Sequence, residues 1–276
     1  MGRQCPLTRR AQRKKNLVSF VTFESCILGG NVDERYSRQL VIPEVGAVGQ
    51  ARLRQARVLV VGGGGLGSPV LLYLAAAGVG TLGVADGDHV SLSNLNRQIL
   101  YKTEDVGRSK SLAAVQRARE LNPEVKAIPY ETRLLRDNGP ALVRQYDLVV
   151  EASDNLETKD LLNELCVAAA RPLVWGAVER CEGQLGVVLP GHACRRCLFP
   201  RTPEPGTYPS PAERGVIGAA AGVIGSLQAL EAIKVLLGIG EPLVDQILLW
   251  DGLTNSFETV RVIRNPHCAV CGKTEA

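Results

Sequence analysis

Apolar residues along this chain fall into short uninterrupted runs separated by longer stretches of mixed character. Arg57–Val61 (RVLVV) and Leu148–Glu151 (LVVE) are rich in β-branched residues and show no alternation. Runs of that length without a polar face are buried on both sides, as in parallel strands. Thr81–Ala85, Val125–Tyr130 and Leu173–Ala177 read as further strands. Between them lie helical segments: about Leu66 to Ala77, closed by Gly78; Ser109–Leu121, stopped by Asn122-Pro123; Ala141–Gln145; and Asn155–Ala170. Asp33–Leu40 and Gly49–Gln55 also look helical. Strands alternating with helices predict βαβ units, hence an α/β, Rossmann-like, mostly parallel sheet with helices on both faces.

The second half changes character. Gly183–Leu189 reads as a strand, and Pro200–Gly215 as a Pro- and Gly-rich loop. Gly215–Leu237 is an apolar helix expected to be central to the core. Asp245–Trp250 and Phe257–Ile263 suggest an antiparallel pair around Gly252, so the C-terminal strands are expected to be antiparallel. No repeat and no linker-like segment divides residues 32–276, which predicts one continuous domain.

Composition narrows the function classes. The chain has 276 residues, 45% hydrophobic and 22% charged, ordinary globular values. Aromatics at 4% argue against stacking on single-stranded nucleic acid as a main activity. The net charge is +4, yet residues 1–31 alone carry six basic residues (Arg3, Arg9, Arg10, Arg13, Lys14, Lys15) against Glu24. The remainder is near neutral and shows no nucleic-acid footprint. Residues 1–31 therefore read as a basic, disordered extension. An alternative has the natural chain starting at Val32 through a non-Met start codon. The most apolar stretch, Gly215–Gly240, is interrupted by Gln228, Glu231 and Lys234, so no membrane span is expected and the protein is read as cytoplasmic.

Val58–Ser68 reads VLVVGGGGLGS, in which Gly62, Gly64 and Gly67 satisfy G-x-G-x-x-G between a strand and a helix. Such a loop brings backbone N–H groups to a phosphate at a helix N-terminus. Asp86, at the end of the next strand, is placed to accept hydrogen bonds from ribose hydroxyls. The motif points to a nucleotide without choosing between NAD and ATP; read blandly, it is a tight turn. Ser91–Gln98 (SLSNLNRQ) is too polar for a core segment, and Arg97 within it can clamp phosphate oxygens. Lys110 opens a helix, where its charge opposes the helix dipole unless an anion is near. Either cation alone reads equally well as a solvated surface charge. Asp154 follows the strand Leu148–Glu151, in Ala152-Ser153-Asp154-Asn155. A helix N-cap is the bland reading of this turn; Asp154 as a Mg²⁺ ligand is the sharper one. None of His89, His192 and His267 sits convincingly beside the expected site as a hydride-transfer proton donor, so two cations and a carboxylate suit a triphosphate with Mg²⁺ better than NAD.

Cys194-Arg195-Arg196-Cys197 and Cys268-Ala269-Val270-Cys271 are two C-x-x-C pairs. Four thiolates in this pattern match a closed tetrahedral Zn²⁺ site pinning the C-terminus to the middle of the chain; two redox pairs are the alternative. Cys5, Cys26, Cys166 and Cys181 are unpaired by spacing, and Cys166 within an apolar helix reads as core.

Together, RYSRQ (Arg35–Gln39), GGGGLGS, ADGD (Ala85–Asp88), SNLNRQ, VGRSK, SDN (Ser153–Asn155), GVIGSLQALEAIK (Gly222–Lys234) and both C-x-x-C pairs resemble the ThiF/MoeB/HesA family of ubiquitin-activating-enzyme-like adenylyltransferases, with the MoeB-type branch nearest. The resemblance covers Asp33 to Lys273. It implies a homodimer that uses ATP to adenylate the C-terminal Gly-Gly carboxylate of a ubiquitin-like sulfur carrier of MoaD/ThiS type, for molybdopterin, thiamine or tRNA-thiolation sulfur transfer. It also implies nucleotide contacts from Gly62, Gly64, Gly65 and Gly67, with Asp86 on the ribose. Ser93, Asn94, Leu95, Asn96, Arg97 and Lys110 would continue the contact, Asn94, Arg97 and Lys110 on phosphates. Asp154, on Mg²⁺, and Asn155 would complete it, while Arg38 would reach into the partner subunit's site. Relatives that form a thioester carry a Cys four residues before the Gly of an A-G-V segment; here that position is Pro211, before Arg214-Gly215-Val216, which argues against that step. Neighbouring Ser210 lacks an evident base. No rhodanese-like segment follows Lys273, so a separate sulfurtransferase or cysteine desulfurase is expected to supply sulfur. The competing readings are activation of a peptide or RNA by the same chemistry, an NAD-dependent oxidoreductase, and a non-catalytic scaffold for a ubiquitin-like partner.

Overall fold

The computed structural model describes residues 32–201 and 214–272. The basic extension, Ser210 and Pro211 lie outside the described residues. The chain divides between Arg35 and Tyr36; Val32–Arg35 forms one helical turn of the first unit, and the sheet with its helices makes up the second.

Eight strands form one sheet: β1 (Arg57–Val61), β2 (Thr81–Ala85), β3 (Lys126–Tyr130), β4 (Leu148–Glu151), β5 (Leu173–Glu179), β6 (Glu182–Val188), β7 (Gln246–Asp251) and β8 (Ser256–Arg261). Their order is β3-β2-β1-β4-β5-β6-β7-β8. The pairings from β3 across to β5 are parallel, and those from β5 to β8 antiparallel. The chain winds outward from β1 through β2 to β3, then returns to lay β4 on the other side of β1. That reversal opens a crevice beyond the carboxyl ends of β1 and β4, where ligands bind in open α/β sheets.

The β-branched runs are buried on both faces, as their lack of alternation predicts. Val58, Val60, Leu82, Val84, Leu148 and Val150 pack into one core with α1 (Gly46–Gln55), α2 (Gly67–Ala76), α3 (Lys110–Leu121) and, further along the sheet, α6 (Gly218–Leu237). Leu59, Val61, Val149 and Leu173 pack into a second core with α4 (Gly139–Val143) and α5 (Leu156–Ala168). The long apolar helix is therefore a core element. It is long and apolar enough to cross a membrane, but half of its apolar window is buried against the body, and Ala221, Ile224 and Ala232 are wholly inside.

Three differences from the sequence reading have physical causes. The expected helix over Asp33–Leu40 breaks at Tyr36, whose buried ring donates through Oη to Glu124 and accepts from Asn122 Nδ2 at 2.8 Å. Strand β5 runs to Glu179 rather than Ala177, because its last residues pair with β6 in a hairpin. Helix α6 starts at Gly218 rather than Gly215, because Gly215 and Ile217 bond the backbone of Arg180 in that hairpin's turn.

Candidate nucleotide site and cysteine cluster

The glycine loop leaves β1 and enters α2 at the mouth of the crevice. Gly62 has φ of +98°, and a Cβ there would lie 2.6 Å from the Ala152 carbonyl oxygen, so the loop backbone rests directly on the turn that follows β4. A Cβ on Gly67 would lie 2.0 Å from the Gly62 carbonyl oxygen. Both positions need glycine for close approach, one role the fingerprint assigns to it. Ser68 closes the first turn of α2 by donating from Oγ to the Gly64 carbonyl at 2.8 Å.

Asp86 braces this loop. Its Oδ2 accepts the Gly63 N–H and its Oδ1 the Asp88 N–H, each at 2.8 Å. Burial raises its pKa, and the two amide bonds and Lys110 only partly oppose that rise. Tyr101, buried and absent from the sequence reading, donates from Oη to the Gly63 carbonyl at 2.7 Å. Burial and the carboxylates of Asp86, Asp105 and Asp88 keep its phenol protonated. Tyr101→Phe should cost about 1 kcal/mol and lower Tm by about 2–4 °C, read by thermal melts, because it leaves a buried carbonyl unpaired. A midpoint unchanged within error would show that this bond does not brace the loop.

The SNLNRQ segment folds back beside the glycines. Ser91 N–H donates to Asn94 Oδ1 at 3.1 Å, Ser91 and Ser93 hydroxyls meet at 3.0 Å, and Leu95 packs against the core. Arg97 donates from Nη1 to the Ser93 carbonyl at 3.0 Å and to Asn96 Oδ1 at 3.1 Å, so its guanidinium is held by its own turn. A Cβ on Gly65 would sit 3.6 Å from Arg97 Cγ and 3.2 Å from the Ala221 methyl, which places Arg97 and the start of α6 against the loop. Gln98 is buried next to Gly64, and its Oε1 has no partner among the described residues. Lys110, 7% exposed, begins α3, and its Nζ lies 3.5 Å from Asp88 Oδ2. Asp88 thus supplies part of the anion that a lysine at a helix start requires. Burial works against the Asp88 carboxylate, but Arg133 and Lys110 hold its pKa below the usual value.

Asp154 is exposed in the turn after β4. Asn155 is the N-cap of α5, its Oδ1 accepting the Thr158 N–H at 2.8 Å, so the bland reading holds for that residue. Beneath the turn lies a buried ion pair, Glu151 with Lys159 at 2.6 Å, which the sequence reading passed over. A carboxylate ending an otherwise apolar buried strand was the available signal, since such a charge requires a partner. Arg38 is exposed on the short turn Ser37–Leu40 and has no side-chain partner among the described residues. Its neighbour Gln39 bonds the Ala77 carbonyl, at the end of α2 remote from the glycine loop. Within one chain, then, the glycine loop, Asp86, Ser93–Gln98, Lys110 and the Asp154 turn gather around the carboxyl ends of β1, β2 and β4, and Arg38 stands apart.

The four C-x-x-C sulfurs form a second cluster, with all Sγ atoms within 4.8 Å of one another, and could hold a metal ion. Cys194 lies 3.7 Å from Cys268, and Cys197 lies 3.4 Å from Cys271. Cys194, Cys268 and Cys271 are buried, so the cluster has the closed character of a structural site. Burial disfavours the Cys268 thiolate, but the N–H groups of Cys271 and Val270 outweigh it and bring its pKa to about 7. The knuckle is tied to α5, since Arg195 N–H donates to Asn163 Oδ1 at 2.9 Å and Arg195 and Arg196 both pair with Asp160. Cys166 is core, its thiol pushed up to about 12 by burial, and Cys181 is half-buried in the β5–β6 turn. Cys5 and Cys26 lie outside the described residues.

Known proteins agree with this architecture. The ThiF family model matches residues 36–270. The chain is 52% identical over 245 residues to the sulfur carrier protein adenylyltransferase of Thermus thermophilus, covering 87% of this chain and 90% of that one. It is 48% identical over 240 residues to the SAMP-activating enzyme E1 of Haloferax volcanii, covering 87% and 89%. The adenylyltransferase and sulfurtransferase MOCS3 of Mus musculus matches at 48% over 241 residues, but this chain spans only 52% of its length. Among solved structures, E. coli MccB with ATP superposes with a TM-score of 0.74 at 24% identity, over 87% of this chain and 75% of that one, a likeness of fold. On the family match and these identities, the chain belongs to the ThiF family.

Proposed function

We propose that this protein is an adenylyltransferase that uses ATP to activate the C-terminal Gly-Gly carboxylate of a ubiquitin-like sulfur-carrier protein. The observation that carries the reading is the convergence of the glycine loop, Asp86, Arg97, Lys110 and the Asp154 turn on one crevice, in a chain 52% identical to a sulfur carrier protein adenylyltransferase. The carrier carboxylate attacks the α-phosphorus of ATP; the new P–O bond forms as the bond to pyrophosphate breaks. A carboxylate is already a nucleophile at neutral pH, so no general base is needed, and catalysis reduces to positioning and charge neutralisation. Loop amides, Arg97 and Lys110 supply the positive field, Asn94 adds a phosphate contact, and Asp86 takes the ribose while bracing Gly63. Asp154, exposed at the crevice, is the residue that would hold Mg²⁺, which when bound offsets phosphate charge. Arg38 is read as acting in the partner subunit of a homodimer. The four cysteines are read as holding a structural zinc ion, and sulfur arrives through a separate sulfurtransferase.

Carrier-dependent exchange of labelled pyrophosphate into ATP tests this reading. Exchange should require a carrier ending in Gly-Gly and vanish when the two glycines are removed. Absence of exchange with any Gly-Gly carrier, or tight NAD binding in place of ATP, would overturn it.

A further inference from the structure

The turn that carries Asp154 is exposed, yet beneath it lies a buried ammonium with every donor bonded. Lys159, on α5 and 5% exposed, directs its ammonium at three acceptors: Glu151 Oε2 at 2.6 Å, the Ser153 carbonyl at 2.9 Å and the Gly176 carbonyl on β5 at 2.6 Å. An ammonium has three donors, and all are used. Glu151, fully buried, accepts the Ser153 N–H at 2.8 Å and the Ser153 hydroxyl on its other oxygen. Its own carbonyl accepts from Gln228 Nε2 of α6 at 2.7 Å. Ser153, the residue before Asp154, is thus held at its amide and hydroxyl by Glu151 of β4 and at its carbonyl by Lys159 of α5, while β5 and α6 in turn bond Lys159 and Glu151. The other side of the same turn abuts Gly62 of the glycine loop.

Burying an ion pair brings little net stability, since desolvation cancels most of the attraction and apolar residues of similar volume do as well. Stability alone therefore does not account for this pair. Geometry does: the pair grips Ser153, whose backbone, with that of Ala152, is what Gly62 of the glycine loop rests on. We propose that Lys159 is a positioning residue of adenylation, acting through Glu151 and the Ser153 backbone to fix the Asp154 carboxylate relative to the phosphate-binding loop. This rests on the reading of Asp154 given above as the Mg²⁺-bearing residue.

The test uses the full-length protein with ATP, Mg²⁺ and a Gly-Gly carrier, and compares Lys159→Met, Asp154→Asn and the double variant. Two quantities are measured: the Mg²⁺ dependence of carrier-dependent exchange, and the affinity for ATP with and without Mg²⁺ by calorimetry. Loss of an outer-shell partner typically costs about 10- to 100-fold, so Lys159→Met should raise the Mg²⁺ requirement about tenfold. It should leave Mg²⁺-free ATP affinity unchanged, a result that general loosening of the fold would not give. The double variant should be no worse than Asp154→Asn alone. Lys159→Met strands a buried carboxylate and so endangers folding; Glu151→Gln with Lys159→Met removes both charges and should show the same shift. Unchanged Mg²⁺ dependence in that folded pair, or additive losses in Lys159→Met with Asp154→Asn, would overturn the proposal. A normal Asp154→Asn enzyme would instead refute the assignment of Asp154 itself, and this proposal with it.

Discussion

Arg97→Ala should lower carrier-dependent pyrophosphate exchange by about 100- to 1,000-fold, the scale on which a single preorganised electrostatic group acts in a closed site. Its stability cost should be small. Among the described residues the Arg97 guanidinium bonds only the Ser93 carbonyl and Asn96 within its own turn, so truncation strands no distant buried partner there. Lys110→Met should act on the same scale. The residue is buried, but its charged neighbour Asp88 is half exposed and also bonded by Arg133, so water and that arginine absorb the loss. Melting curves of both variants should stay close to the parent while exchange collapses. The two losses should combine by less than their product, because the groups stabilise one developing charge. Near-parental exchange in both variants would mean that the cationic pocket is not where pyrophosphate leaves.

Stripping metal from the cysteine cluster should produce the largest change in stability. Cys194 and Cys268 are 74 residues apart in the chain, and a cross-link closing a loop of that length restrains the unfolded state by about 4 kcal/mol in the loop-entropy model. For a domain of this size each kcal/mol is worth about 2–4 °C, so Cys268→Ser, or exhaustive chelation, should lower Tm by about 10 °C. Metal analysis should return one zinc per chain in the parent and none in the variant. Exchange measured well below the melting point should persist, because the closed sulfur set offers no position to substrate. A chelated protein that melts with the parent would show that the thiols are not a metal cross-link.

Much of this protein was legible from residue order. The strands β1, β2 and β4 are found where uninterrupted β-branched runs stand, because a strand buried on both faces cannot carry polar residues without stranding them. The glycine loop was legible because Gly62 and Gly67 sit where any side chain would strike backbone. The cysteine pairs were legible because their close spacing within each pair is itself geometric information; the structure adds that the two pairs meet. Less visible were residues whose role depends on what faces them. Tyr101 and Lys159 look ordinary in sequence, and only the fold brings a Gly63 carbonyl to one and three acceptors to the other. The end of β5 and the start of α6 were misplaced because both are set by hairpin pairing with distant segments.

The order of residues alone determined the class of fold, the glycine loop between β1 and α2, and the two C-x-x-C pairs. These follow from local constraints: burial pattern, backbone freedom and ligand spacing. Tertiary structure decided how the pieces brace one another. It showed Asp86, read as a ribose contact, holding the glycine loop at the Gly63 N–H, Asp88 facing Lys110, Asn155 capping α5, and a buried lysine gripping the turn before Asp154. The reason is that such contacts join residues far apart in the chain, and their energies depend on burial and distance, which exist only once the sheet has closed.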